Sequence, residues 1–198
     1  MKKSLALLAL VFVLATVCGA SAALDENRLG LFYDQAATID EIDIAANSQQ
    51  YLYLVLINPV SDLGSVQVVG GFECSIVPAT GDYLLGVTFP LEAVNVGGSS
   101  ENIVVGYAGA LPISSAEGTV LATLSVLTMG NNPEGYFLQP PASPSLPNKM
   151  AYLDMGIPET LIVEAVPVSG SHDRPVFTFG DYTVEENKQW GDVKSLYR

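Results

Sequence analysis

The stretch YLYLVLI, from Tyr51 to Ile57, sets the expectation for the whole chain. All of its residues are aliphatic or aromatic, and aromatic and β-branched side chains favour strands. The run has the length of a strand and is shorter than a typical helix. It therefore predicts a central strand of a β-sandwich.

Two further stretches alternate apolar and polar residues, which is the pattern of a strand with one buried face. In residues 71–77 (GFECSIV) the apolar face consists of Phe72, Cys74 and Ile76, with Glu73 on the other face. In residues 118–128 (GTVLATLSVLT) the apolar face consists of Val120, Ala122, Leu124 and Val126. We expect both apolar faces to point into one core.

Shorter strands are predicted where β-branched and aromatic residues cluster, at residues 102–107, 160–166 and 176–179. Turn signals rich in glycine and proline separate the strands, and Gly70-Gly71 is one of them. Strands at this spacing without convincing long helices predict an all-β fold. The expected architecture is an antiparallel β-sandwich of the jelly-roll or immunoglobulin-like kind.

Residues 1–22 have the three parts of a secretory signal peptide: two lysines, an apolar stretch, and the small residues ASA at 20–22. We expect a signal helix that is cleaved after Ala22 and a product that is extracellular or periplasmic. Cys18 raises the alternative of a bacterial lipoprotein, for which the preceding Val17 is a poor match. No later segment has the length of apolar residues that a membrane span needs.

The exported part of the chain is strongly acidic. The whole sequence has eight basic and 21 acidic residues, a formal net charge of −13. Removal of Lys2 and Lys3 with the leader leaves six basic residues against 21 acidic ones, a net charge of −15. Such a chain is poorly suited to bind nucleic acid, which requires clustered lysine and arginine, or anionic lipid.

The exported residues divide into two predicted units. Residues 23–182 form the sandwich domain, and its first residues, 23–30, are expected to be a loosely held segment. Residues 183–198 have the pattern of a short amphipathic helix, whose apolar side includes Trp190, Leu196 and Tyr197. Because so short a helix does not persist alone in water, we expect it to fold back on the sandwich or to contact another protein.

Catalysis has little support, and we expect no catalytic residue, no cofactor and no enzyme activity. The single histidine, His172, stands beside Ser171 and Asp173, but a triad needs residues that converge from separate segments. We interpret His172 as an exposed loop residue. Cys74, the one cysteine outside the leader, lies on an apolar strand face, where a thiol is buried and inert.

Asp40, Glu41 and Asp43 form an acidic cluster in residues 38–47 (TIDEIDIAAN). Carboxylates are ligands that Ca²⁺ prefers, so a calcium site is one hypothesis for this cluster. Because isoleucines alternate with the acids, the other interpretation is the solvated face of a strand.

Tyr51 and Tyr53 lie two residues apart and therefore share one face of their predicted strand. Exposed aromatic rings can serve as platforms for sugars, so the pair is a hypothesis for polysaccharide binding. Packing in the core or across strands is the alternative.

Residues 139–149 (QPPASPSLPNK) hold four of the 12 prolines. Proline removes backbone donors and favours extended, unpaired chain. We expect a loop over one end of the sandwich, with a proline-rich ligand segment as the alternative.

Residues 38–130 resemble cohesin-like and related immunoglobulin-like secreted bacterial modules. The stretches that carry the resemblance are YLYLVLINPV (51–60), VVGGFECSIV (68–77) and EGTVLATLSVLT (117–128), the last with Gly118, Val120, Ala122 and Leu124. The tail WGDVKSLYR (190–198) is similar to the ends of uncharacterised secreted proteins of environmental bacteria.

Taken with the charge and the leader, these patterns predict a structural or protein-binding module that acts outside the cytoplasm. Its expected partner is another protein or a second copy of the chain. A carbohydrate-binding module is the alternative, and a hydrolase is the third hypothesis.

Overall fold

The computed structural model describes residues 25–115, 118–156 and 159–180. Strands make up 55% of these residues and none of them is helical, which confirms the all-β fold. The predicted signal helix (1–22) and C-terminal helix (183–198) lie outside the described residues. Within the described ranges no helix is long and apolar enough to cross a bilayer.

The strands are bounded as follows, in chain order: β1 Arg28–Phe32, β2 Glu41–Ile42, β3 Ser48–Ile57, β4 Val60–Ser61, β5 Gly64–Ser65, β6 Val68–Val77, β7 Tyr83–Thr88, β8 Ala93–Asn95, β9 Asn102–Pro112, β10 Thr119–Thr128, β11 Asn132–Gln139, β12 Met150–Asp154, β13 Leu161–Pro167 and β14 Phe177–Phe179.

Twelve of these strands form one mixed, open sheet. Its main path runs β7–β10–β3–β1–β13–β12–β6–β9–β8, and β11–β14–β2 continues from the far end of β6. The remaining strands, β4 and β5, pair with each other. Among the described residues β7 pairs only with β10 and β8 only with β9, so the sheet is not closed.

One hydrophobic core lies between two halves of this path, an arrangement consistent with a sandwich. Tyr107 on β9 donates a hydrogen bond to the carbonyl oxygen of Leu121 on β10, at 2.8 Å. The ring of Phe72 on β6 packs edge-on against Phe89, which follows β7, with centroids 6.3 Å apart. The half with β3 and β10 therefore faces the half with β6 and β9.

The first described strand corrects the prediction that residues 23–30 are a loosely held segment. β1 begins at Arg28 and pairs with β3 on one side and β13 on the other. Leu29 and Leu31 are buried in the core. The β1–β13 pairing is parallel, as is β14–β2, so the prediction of a wholly antiparallel arrangement is wrong at these two positions.

Two details of the predicted strands also differ. The register of β10 shifts between Val120 and Ala122, and this bulge buries Leu121 and leaves Val120 half-buried. Gly70 and Gly71 do not form a turn but lie inside β6. The inward positions of Phe72, Cys74 and Ile76 are as predicted.

Candidate functional site

The outer face of β6, β9 and β12 carries a groove of about 170 Å³, which we call the glycine groove. Its floor is formed by Gly70, Gly71 and Gly106, and Leu153 and Ile162 stand along one side. Gly71 on β6 and Gly106 on β9 are neighbours in the register, so the middle of the groove carries no side chain from either strand.

The strands approach each other closely beneath this floor. A Cβ atom added at Gly71 would overlap the carbonyl oxygen of Val105 and would lie 3.3 Å from the Cα of Gly106. Gly71 therefore has to be glycine for β6 and β9 to pair as they do. Gly106 is different, because a Cβ atom there would meet no atom within 4 Å and would project into open space.

Exposed aliphatic side chains flank the floor. One cross-strand row joins β13, β12, β6, β9 and β8 through Ile162, Leu153, Gly71, Gly106 and Val94. Ile162 is 50% exposed and Val94 is 67% exposed. Exposed apolar side chains on both sides of an open floor are typical of a binding surface.

The valine side of the groove continues beyond β8. Val96 follows Val94 by two residues and is 72% exposed. Its backbone N–H donates to the carbonyl oxygen of Val104, at 2.9 Å, so this residue is held in place by β9. The exposed valines are therefore part of an ordered surface.

The proline-rich segment is a loop, as one interpretation predicted, and its Ser145 lines the glycine groove on the outer face of the sheet. Ser145 donates hydrogen bonds from its backbone N–H and its Oγ to the two carboxylate oxygens of Glu73, at 2.7 and 2.9 Å. Glu73 is consequently buried, although the alternating pattern predicted it on an outward face. Both oxygens of its carboxylate therefore have a hydrogen-bond donor, and both donors come from a segment distant in sequence.

A second open surface lies on the other half of the fold, on the outward side of β3, β10 and β7. We call it the tyrosine face, and it consists of Gln49, Tyr51, Tyr53, Tyr83, Leu85, Gly86, Thr88, Thr123, Ser125 and Leu127. Tyr51 is 55% exposed, whereas Tyr53 is half-buried. The predicted pair thus shares a face, and Tyr51 is its accessible member.

The three acidic residues proposed for calcium lie on or beside the edge strand β2. Asp40, Glu41 and Asp43 are exposed, and one carboxylate oxygen of Asp43 accepts a hydrogen bond from the amide of Asn131 at 2.7 Å. Over the described ranges, the structure brings no three histidine, cysteine or acidic side chains together in a metal-binding group. The geometry therefore agrees with the solvated-strand interpretation.

The side chains considered for catalysis take part in the structure instead. His172 is half-buried rather than exposed, because Nδ1 lies 2.8 Å from the carbonyl oxygen of Leu138. A carbonyl only accepts hydrogen bonds, so Nδ1 carries the proton in this contact. Cys74 is fully buried, and burial followed by the charge of Glu73 raises the pKa of its thiol far above the ordinary value.

Two buried tyrosines lie close to buried carboxylates. The hydroxyl of Tyr136 donates to Asp82 at 2.8 Å, and the other carboxylate oxygen of Asp82 accepts from the backbone N–H of Met129 at 3.0 Å. Burial, reinforced by the bond to Asp82, raises the pKa of Tyr136. Burial likewise raises the pKa of Tyr152, with the charge of Asp154 as the next cause.

Sequence reasoning found part of these surfaces. It placed Tyr51 and Tyr53 correctly on one face and missed Tyr83, which shares that face, because β7 was not predicted. It also missed the glycine groove, although glycines inside an alternating strand pattern are a signal of close backbone approach. The predicted tail contacts Trp190, Leu196 and Tyr197 lie outside the described residues.

The chain was also compared with known proteins. No family model matches it, and no curated protein or solved structure shows significant similarity to it.

Proposed function

We propose that the protein is an exported, non-enzymatic β-sandwich module, cohesin-like in its strand order, that binds a partner protein through the glycine groove. The observation that carries the proposal is the row Ile162–Leu153–Gly71–Gly106–Val94, an apolar strip whose centre has no side chains. A partner can place aliphatic or aromatic side chains there against the backbone of β6 and β9, which pair with each other at Gly71 and Gly106.

The charge of the chain supports a particular kind of partner. The protein has a formal net charge of −13, and −15 without its leader, so the apolar strip of the groove belongs to a strongly acidic molecule. A segment with apolar side chains flanked by basic residues complements both features. Its association should therefore weaken as salt concentration rises.

The sequence supports the location in this proposal. The leader at residues 1–22 predicts export, and the acidic chain with a single remaining cysteine suits a soluble extracellular or periplasmic domain. The non-enzymatic part rests on the buried thiol of Cys74 and on the structural contact of His172.

The test uses a matched pair of substitutions on β9. Gly106→Leu places a side chain in the groove, whereas Gly109→Leu places the same side chain on the same strand outside it, and neither Cβ meets an atom within 4 Å. Wild-type protein and both variants, each spanning residues 23–198, are used to capture partners from the native secreted fraction. Captured protein is then purified, and its affinity is measured at low and high salt.

We expect wild type and Gly109→Leu to bind the same partner, and Gly106→Leu to bind it at least tenfold more weakly. Size-exclusion chromatography with light scattering shows whether a second copy fills the groove instead, since a dimer would then dissociate in Gly106→Leu alone. Equal affinity of the two variants for every captured protein would show that the glycine groove does not bind the partner.

A truncation addresses the role of the tail. We propose that residues 183–198, with Trp190, Leu196 and Tyr197, close the sandwich, and contact with another protein is the alternative. A chain that stops at Thr183 should then melt at lower temperature while its captured partners stay the same. Unchanged stability together with the loss of a partner would favour the contact role.

A further inference from the structure

We propose that the tyrosine face binds a neutral oligosaccharide chain, with Tyr51 and Tyr83 as its two ring platforms. This surface lies on the half of the fold opposite the glycine groove, so the inference does not depend on the proposed protein partner.

The two tyrosines are unusually accessible for residues of a β-sheet. Tyr51 is 55% exposed and Tyr83 is 60% exposed, and Leu85 on the same edge strand is also exposed. An aromatic ring that is exposed on a sheet face can stack on a flat partner. Pyranose rings offer such a partner, because one side of the ring presents C–H groups to the negative face of the aromatic ring.

The row of the sheet that begins at Tyr51 continues with small residues. Tyr51 pairs with Ser125, and Ser125 pairs with Gly86, so one row crosses three strands with only small side chains after the tyrosine. A Cβ atom at Gly86 would meet nothing within 4 Å. We call the row Tyr51–Ser125–Gly86 the lane. With strands about 4.8 Å apart, it extends about 10 Å from the backbone of Tyr51.

The position of the second ring sets the size of the ligand. Tyr83 pairs with Leu127, which pairs with Gln49, so Tyr83 lies two strands across and two residues along from Tyr51. That separation is about 12 Å between backbones. One sugar ring cannot cover both platforms, so the geometry selects a chain of sugars over a monosaccharide.

Hydrogen-bonding groups surround the lane. The amide nitrogen of Gln49 donates to Ser125 Oγ at 2.7 Å and lies 3.4 Å from the Tyr51 hydroxyl. Thr88 and Thr123 form the next row toward the other end of the sheet. Hydroxyl and amide groups beside an aromatic platform match the equatorial hydroxyls and apolar ring faces of a sugar.

Charge decides which polysaccharides fit. All outward positions of the tyrosine face are described by the structure, and none of them is charged. The chain as a whole carries a formal net charge of −13. An anionic polysaccharide would find no cation on this face and would be repelled by the rest of the molecule, so the ligand is neutral.

Affinity electrophoresis tests the inference with the protein spanning residues 23–198. Native gels contain either a neutral polymer (hydroxyethylcellulose, xylan, glucomannan or soluble starch) or an anionic one (alginate or polygalacturonate). We expect at least one neutral polymer to retard the protein and neither anionic polymer to do so. Tyr51→Ala and Tyr83→Ala should each weaken binding about three- to tenfold, whereas Tyr51→Trp should retain it.

Two controls separate this site from the groove and from a loss of folding. Val96→Ala, at an exposed position on the other half of the fold, and Gly106→Leu should both leave polysaccharide binding unchanged. Because Tyr51 and Tyr83 are exposed, their alanine variants should keep the wild-type circular dichroism spectrum.

Three results would overturn the inference. The first is that no neutral polymer retards the wild-type protein, and the second is that the double variant of Tyr51 and Tyr83 is retarded like wild type. The third is that a purified protein partner loses binding through Tyr51→Ala while no polysaccharide does, which would make the tyrosine face a protein interface.

Discussion

The sharpest structural prediction concerns the floor of the glycine groove, through the substitution Gly71→Ala. The added Cβ would overlap the carbonyl oxygen of Val105 and would lie 3.2 Å from the carbonyl carbon, closer than the 3.5–4.0 Å of an ordinary carbon contact. These are backbone atoms of a paired strand, so no side chain can rotate away. The strands have to move apart instead.

The cost follows from that movement. Overpacking costs about 1–3 kcal/mol, and the loss of one or two ladder hydrogen bonds adds about 1 kcal/mol each. We therefore expect Gly71→Ala to lower the free energy of unfolding by about 3 kcal/mol. Gly106→Ala, its partner in the register, meets no atom within 4 Å and should leave stability unchanged or raise it by about 0.5 kcal/mol.

Urea denaturation followed by far-ultraviolet circular dichroism measures both variants. Far-ultraviolet circular dichroism is suitable because it reports on the strands themselves. Similar slopes against urea concentration are needed for the comparison of midpoints. A Gly71→Ala variant within about 0.5 kcal/mol of wild type, or a Gly106→Ala variant that loses as much as Gly71→Ala, would refute the close approach of β6 and β9.

Three further predictions concern buried polar groups. Tyr136→Phe removes the donor to the buried carboxylate of Asp82, and we expect urea denaturation to show a loss of about 2 kcal/mol; no loss would mean that the bond contributes nothing to folding. Ser145→Ala removes one of the two donors to Glu73 and should cost about 1–2 kcal/mol in the same assay, whereas Ser143→Ala on the same loop is the control. Because burial raises the pKa of Tyr136 and Tyr152, their protons are retained in the folded protein and lost first in the unfolded chain. The contribution of these two tyrosines to stability should therefore be constant below about pH 10 and fall above it by about 1.4 kcal/mol per pH unit for each tyrosine, and a stability profile that is flat between pH 10 and pH 11.5 would contradict their burial.

Local sequence pattern was sufficient for the strands that bury one face or two. β3, β6, β10 and β13 were predicted from alternation or from short apolar runs, because those patterns depend only on each strand's own residues. The inward positions of Phe72, Cys74 and Ile76 followed for the same reason.

Features that depend on distant segments were not predictable in this way. β1 has an ordinary short sequence, RLGLF, and becomes a core strand only because β3 and β13 pair with its two edges. Alternation along β6 predicts that Glu73 is solvated. Its burial depends on Ser145, which lies 72 residues later and donates a hydrogen bond to its carboxylate. The bulge in β10 shifts one residue of the inward set, which alternation alone cannot locate.

The two proposed binding surfaces also combine features that one strand determines with features that depend on distant segments. The common face of Tyr51 and Tyr53 follows from their spacing, but the exposure of Tyr51 depends on the small residues opposite it on β10 and β7. The glycine groove needs glycines from two separate strands in one register, Gly71 on β6 and Gly106 on β9. A sequence read along one strand at a time shows neither arrangement.

Hydrogen–deuterium exchange of the protein with and without its purified partner tests the central claim most directly. If the glycine groove is the binding surface, the partner should slow exchange in peptides that cover β8, β9 and β12 and leave β3, β7 and β10 unchanged. Protection confined to β3, β7 and β10, or to residues 183–198, would contradict it.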